Sequence, residues 1–216
     1  MIEAINVKYK KSWKAGNTAI NLSEIFSPKV SVAVWTRDED PQLNRYFNDV
    51  FQQLGMGLRG VFSMDVLKQE LNKLLPESDG KEVAIEDIYL LSDMLTCLFD
   101  CDSVGMRIAP LTSAMCPNFH VDNIPVRLVN TYLGDGTQWL PNENIHANPS
   151  NNTSAHSVKT PFGRGYNNSE IQQLKPFDVA LLKGQAWEGH EDMAAVHRSC
   201  KVEPNGKRVL LTLDPL

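Results

Sequence analysis

The spacing of apolar residues changes near residue 102, and this change divides the chain into two parts. In the first part, apolar residues recur three, four and seven positions apart, which is typical of helices with one buried face. The pattern predicts three helices, over about residues 41–58, 63–76 and 84–99. The first of them begins with Pro41 directly after an acidic run, residues 38–40, which is typical of a helix start.

After Gly105 the periodicity shortens, and β-rich segments alternate with turns. The predicted strands are residues 30–36 in the first part and 106–111, 126–133, 179–182, 194–202 and 208–213 in the second. Turns that contain glycine or proline, such as residues 134–136 and 204–206, separate them. Several short strands with tight turns favour a sandwich, a barrel or a jelly roll.

One polar stretch, residues 142–168, interrupts the predicted strands. It contains seven asparagines among its 27 residues, together with several serines and threonines. A long polar segment inside a compact domain is typical of a functional loop. We therefore expect a surface insertion or a lid at residues 142–168.

Composition and charge exclude several classes of protein. The chain has 216 residues, of which 42% are hydrophobic and 22% charged, so a folded globular chain is expected. There is no apolar run long enough for a transmembrane helix, and residues 1–17 lack the apolar core of a secretory signal. The net charge of −5, without a long basic run, argues against binding of bulk nucleic acid.

The four cysteines are too sparse for a disulfide framework, so reduced thiols and a cytoplasmic protein are expected. The pattern does not determine the oligomeric state and is compatible with a homodimer.

The candidate chemistry begins at His120 and Asp122. Residues i and i+2 of a strand point to the same face, so both side chains can be directed at one point. The chain contains a second His-x-Asp match, at residues 190–192, but that match lies in a Gly- and Glu-rich segment typical of a solvated loop. A short motif of this kind is weak on its own.

The first match is followed by two further residues in a meaningful order. His197 lies in a predicted strand, and Arg208 opens the next one. Two imidazoles and one carboxylate can hold Fe(II) on one face and leave positions open for other ligands. A fixed guanidinium nearby suits bidentate binding of a carboxylate. The order therefore favours a dicarboxylic co-substrate that chelates the metal at one end and pairs with Arg208 at the other.

This pattern resembles the Fe(II)- and 2-oxoglutarate-dependent dioxygenases, and within them the prolyl-hydroxylase branch. The likeness covers residues 104–216 and includes residues 119–122 (Phe-His-Val-Asp), Arg127, the Tyr-Leu-Gly turn from Tyr132 and residues 176–182. It implies a double-stranded β-helix (jelly roll), Fe(II), 2-oxoglutarate, and oxidative decarboxylation coupled to hydroxylation. It also implies that His120, Asp122 and His197 are the metal ligands and catalytic residues.

A more local match resembles a bacterial family of unknown function. It consists of Cys-Pro-x-Phe-His-x-Asp followed by Thr-Tyr-Leu-Gly-x-Gly-Thr-x-Trp-Leu. Genome context links that family to zinc homeostasis. The chain departs from the dioxygenase pattern at Ser199, where a β-branched apolar residue is common, and at residues 208–210, which read Arg-Val-Leu where many relatives have Arg-x-Ser.

Several residues near the motif have both a functional and a packing interpretation. Tyr132 and Arg127 are candidates for co-substrate binding, although a strand tyrosine is often core and a strand arginine is often a surface charge. Trp139 and Trp187 are candidates for the wall of a substrate pocket, and packing alone explains them equally well.

The cysteines offer a different metal site. Cys97, Cys101, Cys116 and His120 have ligand types that suit a structural Zn(II), although their spacing is not that of a standard zinc finger. Buried thiols that pack as small apolar groups are the commoner explanation. A nucleophilic Cys–His pair, of Cys116 with His120 or of Cys200 with His197, is less favoured because neither spacing makes the two side chains face each other.

Together these observations predict one α+β domain over residues 1–216, with a helical part at residues 1–103 packed on a jelly-roll core at residues 104–216. The favoured function is an Fe(II)/2-oxoglutarate-dependent oxygenase that takes a small-molecule co-substrate and a primary substrate that the sequence does not identify. The alternative is a non-catalytic, cupin-like protein that binds Zn(II) through the same triad in metal homeostasis. A third hypothesis is an interaction domain without metal.

Overall fold

The computed structural model describes residues 11–145 and 166–216. Within these ranges the chain forms three α-helices and ten strands, together with short 3-10 segments. The helices are α1 (Pro41–Asp49), α2 (Leu67–Leu74) and α3 (Lys81–Phe99). The strands are β1 (Trp13–Gly16), β2 (Val32–Trp35), β3 (Leu58–Ser63), β4 (Ser103–Leu111), β5 (Val126–Leu133), β6 (Gln138–Leu140), β7 (Gln172–Gln173), β8 (Val179–Lys183), β9 (Val196–Arg198) and β10 (Arg208–Pro215). The fold is therefore mixed α+β.

Helix α1 begins where the sequence predicts. The side chain of Asp40 accepts hydrogen bonds from the backbone N–H groups of Gln42 and Leu43, and Pro41 occupies the first turn, where its missing N–H costs nothing. The predicted end was wrong, because α1 stops at Asp49 and residues 58–63 form β3 instead. Gly57 marks the change: its φ is +86°, and a Cβ there would overlap the backbone of β4.

Two sheets form the scaffold of the described residues. The large sheet has the strand order β1-β2-β8-β5-β10-β4-β3, and the small sheet has the order β7-β6-β9. The large sheet takes β1, β2 and β3 from residues that precede the expected division at residue 103, so the first part of the chain contributes strands as well as helices. Strand β8 is buried along its whole length, as its apolar sequence predicts.

Each face of the large sheet carries its own apolar core. On one face, residues of α1, α2 and α3 pack against β4, β5, β8 and β10. On the other face, residues of β2, β5, β8 and β10 pack with Trp139 of the small sheet and with its neighbours Leu174 and Ala195. The small sheet therefore covers part of the face opposite the helices, and the space between the two sheets is where a site can form.

The expected insertion at residues 142–168 falls largely outside the described residues. No helix in the described ranges combines the length and the hydrophobicity that a membrane crossing requires.

Candidate metal centre

His120, Asp122 and His197 come together in the structure. Their ligand atoms all lie within 4.8 Å of one another. The Nε2 atoms of His120 and His197 lie 3.6 Å from Oδ1 and 3.6 Å from Oδ2 of Asp122, respectively. The two imidazoles and the carboxylate therefore face a common point, which is the donor set of a facial metal site.

The backbone holds the two histidines side by side. The N–H of His120 donates to the carbonyl of His197 at 2.9 Å, and the N–H of His197 donates to the carbonyl of His120, also at 2.9 Å. His197 lies in β9, and His120 lies in the segment between β4 and β5. This pairing joins two segments that are far apart in the chain, and it brings their side chains to the same side.

The ring nitrogens are arranged as metal ligands require. Nδ1 of His120 lies 3.0 Å from the carbonyl oxygen of Asn118, and Nδ1 of His197 lies 3.0 Å from that of Ala195. A carbonyl accepts a hydrogen bond, so Nδ1 carries the proton in each ring and Nε2 keeps its lone pair. Burial lowers the pKa of His197, which favours the neutral imidazole that binds a metal. These residues fit a divalent cation.

The backbone around Asp122 is held by the loop after β8. The N–H of Gln185 donates to the carbonyl of Asp122 at 2.8 Å, and the N–H of Gly184 donates to the carbonyl of Pro125, also at 2.8 Å. A Cβ at Gly184 would overlap the carbonyl oxygen of Ile124. Glycine is therefore required here for the close approach that positions Asp122.

Arg127 binds the carboxylate of Asp122 directly. Its Nη1 donates to Oδ2 of Asp122 at 2.7 Å, while Nε and Nη2 donate to the two oxygens of Asp214, each at 2.7 Å. Burial lowers the pKa of Arg127, but the hydrogen bonds and charges of Asp214 and Asp122 outweigh it, so the pKa is raised. The predicted role in co-substrate binding does not match these contacts. Arg127 instead fixes the orientation of Asp122.

Arg208 is almost completely buried, with 1% of its surface exposed. Its Nε donates to the carbonyl of Asp135 at 2.8 Å, Nη1 donates to Oγ of Ser199 at 2.9 Å, and Nη2 donates to Oγ1 of Thr137 at 3.1 Å. No carboxylate side chain within residues 11–145 and 166–216 forms an ion pair with this guanidinium, and burial lowers its pKa. The charge of Asp135 raises the pKa of Arg208 but does not outweigh burial. A buried cation without an ion-pair partner is costly, so the site suits an anionic ligand.

The hydroxyl groups around Arg208 were not identified from the sequence. Ser199 departs from the usual apolar residue at that position, and the structure shows why, since its hydroxyl accepts from Arg208. Thr131 and Thr137 complete the set of hydroxyl partners, with Thr131 at 3.4 Å. Ser199 also lies two residues after His197, so the segment that carries a histidine of the triad also carries a partner of the guanidinium.

Tyr132 does not reach the site. Its hydroxyl donates to Oδ2 of Asp87 at 2.7 Å, its ring stacks on Phe47 with a centroid distance of 4.4 Å, and the side chain is fully buried in the core between the sheet and the helices. Asp87 is also paired with Arg37. Burial, followed by the charge of Asp87, raises the pKa of Tyr132 well above its ordinary value. The expectation that Tyr132 binds a co-substrate is therefore corrected, and the residue belongs to the opposite face of the large sheet.

We expect Tyr132→Phe to lower the free energy of unfolding by about 1.5 kcal/mol, because the Asp87 carboxylate loses a buried hydrogen-bond donor. Tyr89→Phe is the matched control: no partner for the Tyr89 hydroxyl is seen in the described part of the chain, so a change within about 0.5 kcal/mol is expected. Urea denaturation measures both. If the Tyr132→Phe protein were as stable as the wild type but unable to bind a 2-oxo acid, Tyr132 would be a co-substrate-binding residue after all.

The cysteine alternative does not assemble. The triad is the one group of three or more metal-ligating side chains found in the described ranges, and Cys97, Cys101 and Cys116 are not part of it. Burial raises the pKa of the Cys200 thiol, which makes it a poor nucleophile. The second His-x-Asp match lies at a 3-10 turn (Glu191–Met193) with Glu191 and Asp192 exposed, as expected of a solvated loop.

The two tryptophans have different surroundings. Trp139 lies directly opposite His197 in the small sheet, and its buried Nε1–H has no acceptor among the described residues. Trp187 packs against Phe26 and Phe99 instead. Of the two, Trp139 is the one placed beside the triad.

Comparison with solved structures places the fold. The chain is similar to AtDAO1, the dioxygenase for auxin oxidation 1 from Arabidopsis thaliana, solved as a binary complex with 2-oxoglutarate, with a TM-score of 0.52 and 11% identity over 96% of this chain and 92% of that one. It is also similar to a prolyl-4-hydroxylase from Pseudomonas putida, with a TM-score of 0.46 and 8% identity over 89% of this chain and 95% of that one. At 11% identity, the first likeness shows a shared fold.

No curated protein matches the chain in sequence. One family profile does match, over residues 16–214, and its description is "Protein of unknown function (DUF1826)". The match includes the triad, Arg127 and Arg208, and it spans most of the 216 residues. The chain therefore belongs to the DUF1826 family.

Proposed function

We propose that this chain is a non-haem Fe(II) oxygenase that couples the decarboxylation of 2-oxoglutarate to the hydroxylation of an organic substrate. The observation that carries the proposal is Arg208, a buried guanidinium held by hydroxyl and carbonyl oxygens with no carboxylate partner in the described residues. A protein that only stores or senses a metal has no need of such a group.

His120, Asp122 and His197 would hold the metal through Nε2, one carboxylate oxygen and Nε2. When bound, Fe(II) would provide the chemistry that activates molecular oxygen. One oxygen atom goes to succinate, and the other goes to the hydroxyl group of the product. Three protein ligands on one face leave room for a chelating 2-oxo acid. Arg127 keeps the Asp122 carboxylate in position by donating to Oδ2, the oxygen that faces His197.

Arg208 would bind the distal carboxylate of the co-substrate. Ser199, Thr137 and the carbonyl of Asp135 already hold the guanidinium, so little conformational freedom is lost when the anion arrives. Trp139 offers a buried N–H donor beside His197 that lacks an acceptor among the described residues. Both groups lie within the protein, where a charge-assisted hydrogen bond is stronger than in water.

The architecture supports the same proposal. Two facing sheets with the triad at their junction suit a double-stranded β-helix, and we propose that residues 104–216 form this jelly-roll core within a single domain over residues 1–216. AtDAO1, whose fold this chain shares, was solved with 2-oxoglutarate bound, and we extend that co-substrate to this chain. The free thiols of all four cysteines suit the cytoplasmic location that the sequence predicts.

The test is an anaerobic titration of metal-stripped protein with Fe(II), with and without 2-oxoglutarate, followed by visible absorption. Bidentate chelation of Fe(II) by a 2-oxo acid gives a weak charge-transfer band that neither component shows alone. We expect the band only when protein, Fe(II) and 2-oxoglutarate are all present. Fe(II) binding without a band would reject the oxygenase in favour of a metal-binding protein, with Zn(II) as its candidate metal, and no metal binding would reject both.

A further inference from the structure

A cleft of about 500 Å³ opens beside the candidate metal centre. Arg127 and Asp214 line one end of it, and Arg127 donates to Asp122 from there. A molecule in the cleft would therefore be separated from the metal-ligand carboxylate by one side chain. The volume is within the range of about 300–1,000 Å³ that is typical of small-molecule sites.

The floor of the cleft carries two arginines that face the same way. Arg59 of β3 and Arg107 of β4 are directly opposite each other in the antiparallel pair, and both line the cleft. Like charges at directly opposed positions repel each other and destabilise the pair of strands. Neither arginine has an acidic or hydrogen-bonding side-chain partner within the described chain.

The charge of the cleft is therefore not balanced by its own lining. Its single lining carboxylate, Asp214, is already bound by Arg127 through two hydrogen bonds. The remaining positive charges, on Arg59 and Arg107, stand out in a chain whose net charge is −5. Two guanidinium groups on one surface are well suited to a carboxylate or a phosphate.

The walls of the cleft are partly apolar. Val61, which is 68% exposed, and Met115 lie along it, and Thr212 adds a hydroxyl in register with Arg107. An apolar residue as exposed as Val61, next to two cations, suits a ligand that has both an apolar body and a charged end. Simple inorganic anions would leave the apolar wall in water.

We propose that this cleft binds the primary substrate, and that the substrate is a small organic anion whose carboxylate or phosphate group lies between Arg59 and Arg107. The apolar part then lies along Val61 and Met115 and extends toward the Arg127 end, next to the triad. The claim that the bound anion is the substrate rests on the proposed oxygenase function. The claim that the cleft binds an anion rests on the residues of the cleft alone. The volume and the net charge of the chain favour a small molecule over a nucleic acid.

The experiment is isothermal titration calorimetry at low ionic strength with three probes: phenyl phosphate, benzoate and the neutral benzyl alcohol. The proteins are the wild type, Arg59→Met, Arg107→Met and the control Arg45→Met, an exposed arginine on helix α1. We expect at least one anionic probe to bind the wild type and the Arg45→Met control equally, and to lose about tenfold or more in affinity in each cleft variant. Benzyl alcohol is expected to show no difference among the four proteins.

Two results would overturn the proposal: no binding of either anion to the wild type, or equal binding by all four proteins. The preference between phenyl phosphate and benzoate identifies the anionic group. The charge-transfer band is measured on the same variants and is expected to be unchanged, because neither arginine contacts the triad or Arg208. Absence of the band in the wild type would refute the oxygenase function but would not bear on anion binding by the cleft. The failure of one proposal is therefore distinguishable from the failure of the other.

Discussion

Asp122→Ala is expected to weaken Fe(II) binding by about a hundredfold or more, since even residues that only orient a metal ligand typically contribute 10–100-fold. Asp122 supplies the one negative charge of the triad, with Oδ1 and Oδ2 each 3.6 Å from a histidine Nε2. Its removal leaves two neutral nitrogens. It also leaves the Nη1 of Arg127 without its carboxylate, so a guanidinium then faces the metal position. Both changes disfavour a divalent cation.

The measurement is the anaerobic Fe(II) titration, with Asp192→Ala as the matched control. Asp192 belongs to the second His-x-Asp sequence and is exposed on a loop, so its removal is expected to leave the affinity unchanged. Asp122→Asn is expected to fall between the two, because the amide keeps one acceptor for Arg127 but lacks the charge. Wild-type Fe(II) affinity in Asp122→Ala would show that the metal binds elsewhere.

Arg208→Met is expected to abolish the 2-oxoglutarate band, since the loss of a charge-assisted pair alone weakens binding of the co-substrate about tenfold or more. The Fe(II) affinity is expected to stay within about twofold of the wild type. Methionine removes the cation and retains much of the buried apolar volume. The guanidinium contacts Ser199, Thr137 and the carbonyl of Asp135, and none of these is a metal ligand. The metal site and the co-substrate anchor are therefore separable by mutation.

Arg208→Lys tests the geometry of the same contact. Lysine keeps the charge but cannot present the planar fork, so we expect a weakened band with an intact Fe(II) titration. The Fe(II) titration also reports whether each variant has folded around the triad. A full band in Arg208→Met would remove the main support for a dicarboxylic co-substrate.

Strands β5 and β10, which carry Arg127 and Arg208, were predictable because their apolar and β-branched runs are long. His197 lies in β9, which has three residues where the sequence predicts a strand over residues 194–202. Residues 126–133 match β5 in full, and Arg208 opens β10 as expected. The short strands β1, β6 and β7 have two to four residues each, too few to establish a period. The sequence predicts a helix that reaches the start of β3, because Leu58 continues the apolar spacing of α1. The close approach of β4 to Gly57 ends the helical spacing before β3. This approach is a tertiary contact, so the sequence pattern does not reveal it.

The same physical limits apply to the site. The sequence predicts that His120 and Asp122 share one face of a strand, but both lie outside the named strands, and the pairing of His120 with His197 is an isolated bridge. The period of two does hold within β5, where Arg127 and Tyr132 lie five positions apart and so face opposite sides. Asp214 lies six positions after Arg208, so alternation along β10 predicts that both side chains lie on the same face. The pairing of Arg59 with Arg107 could not be predicted in this way, because it depends on the register between β3 and β4.

Strand β10 has a consequence for the order in which the molecule is made. It is the last strand along the described chain, yet it is hydrogen-bonded between β5 and β4 in the middle of the large sheet. During synthesis, the β3–β4 pair and the strands around β5 therefore have no shared neighbour until residues 208–215 leave the ribosome. A chain that stops before residue 208 contains all three residues of the triad, but it lacks the strand that joins the two halves of the sheet. Such a chain would expose two strand edges to other chains.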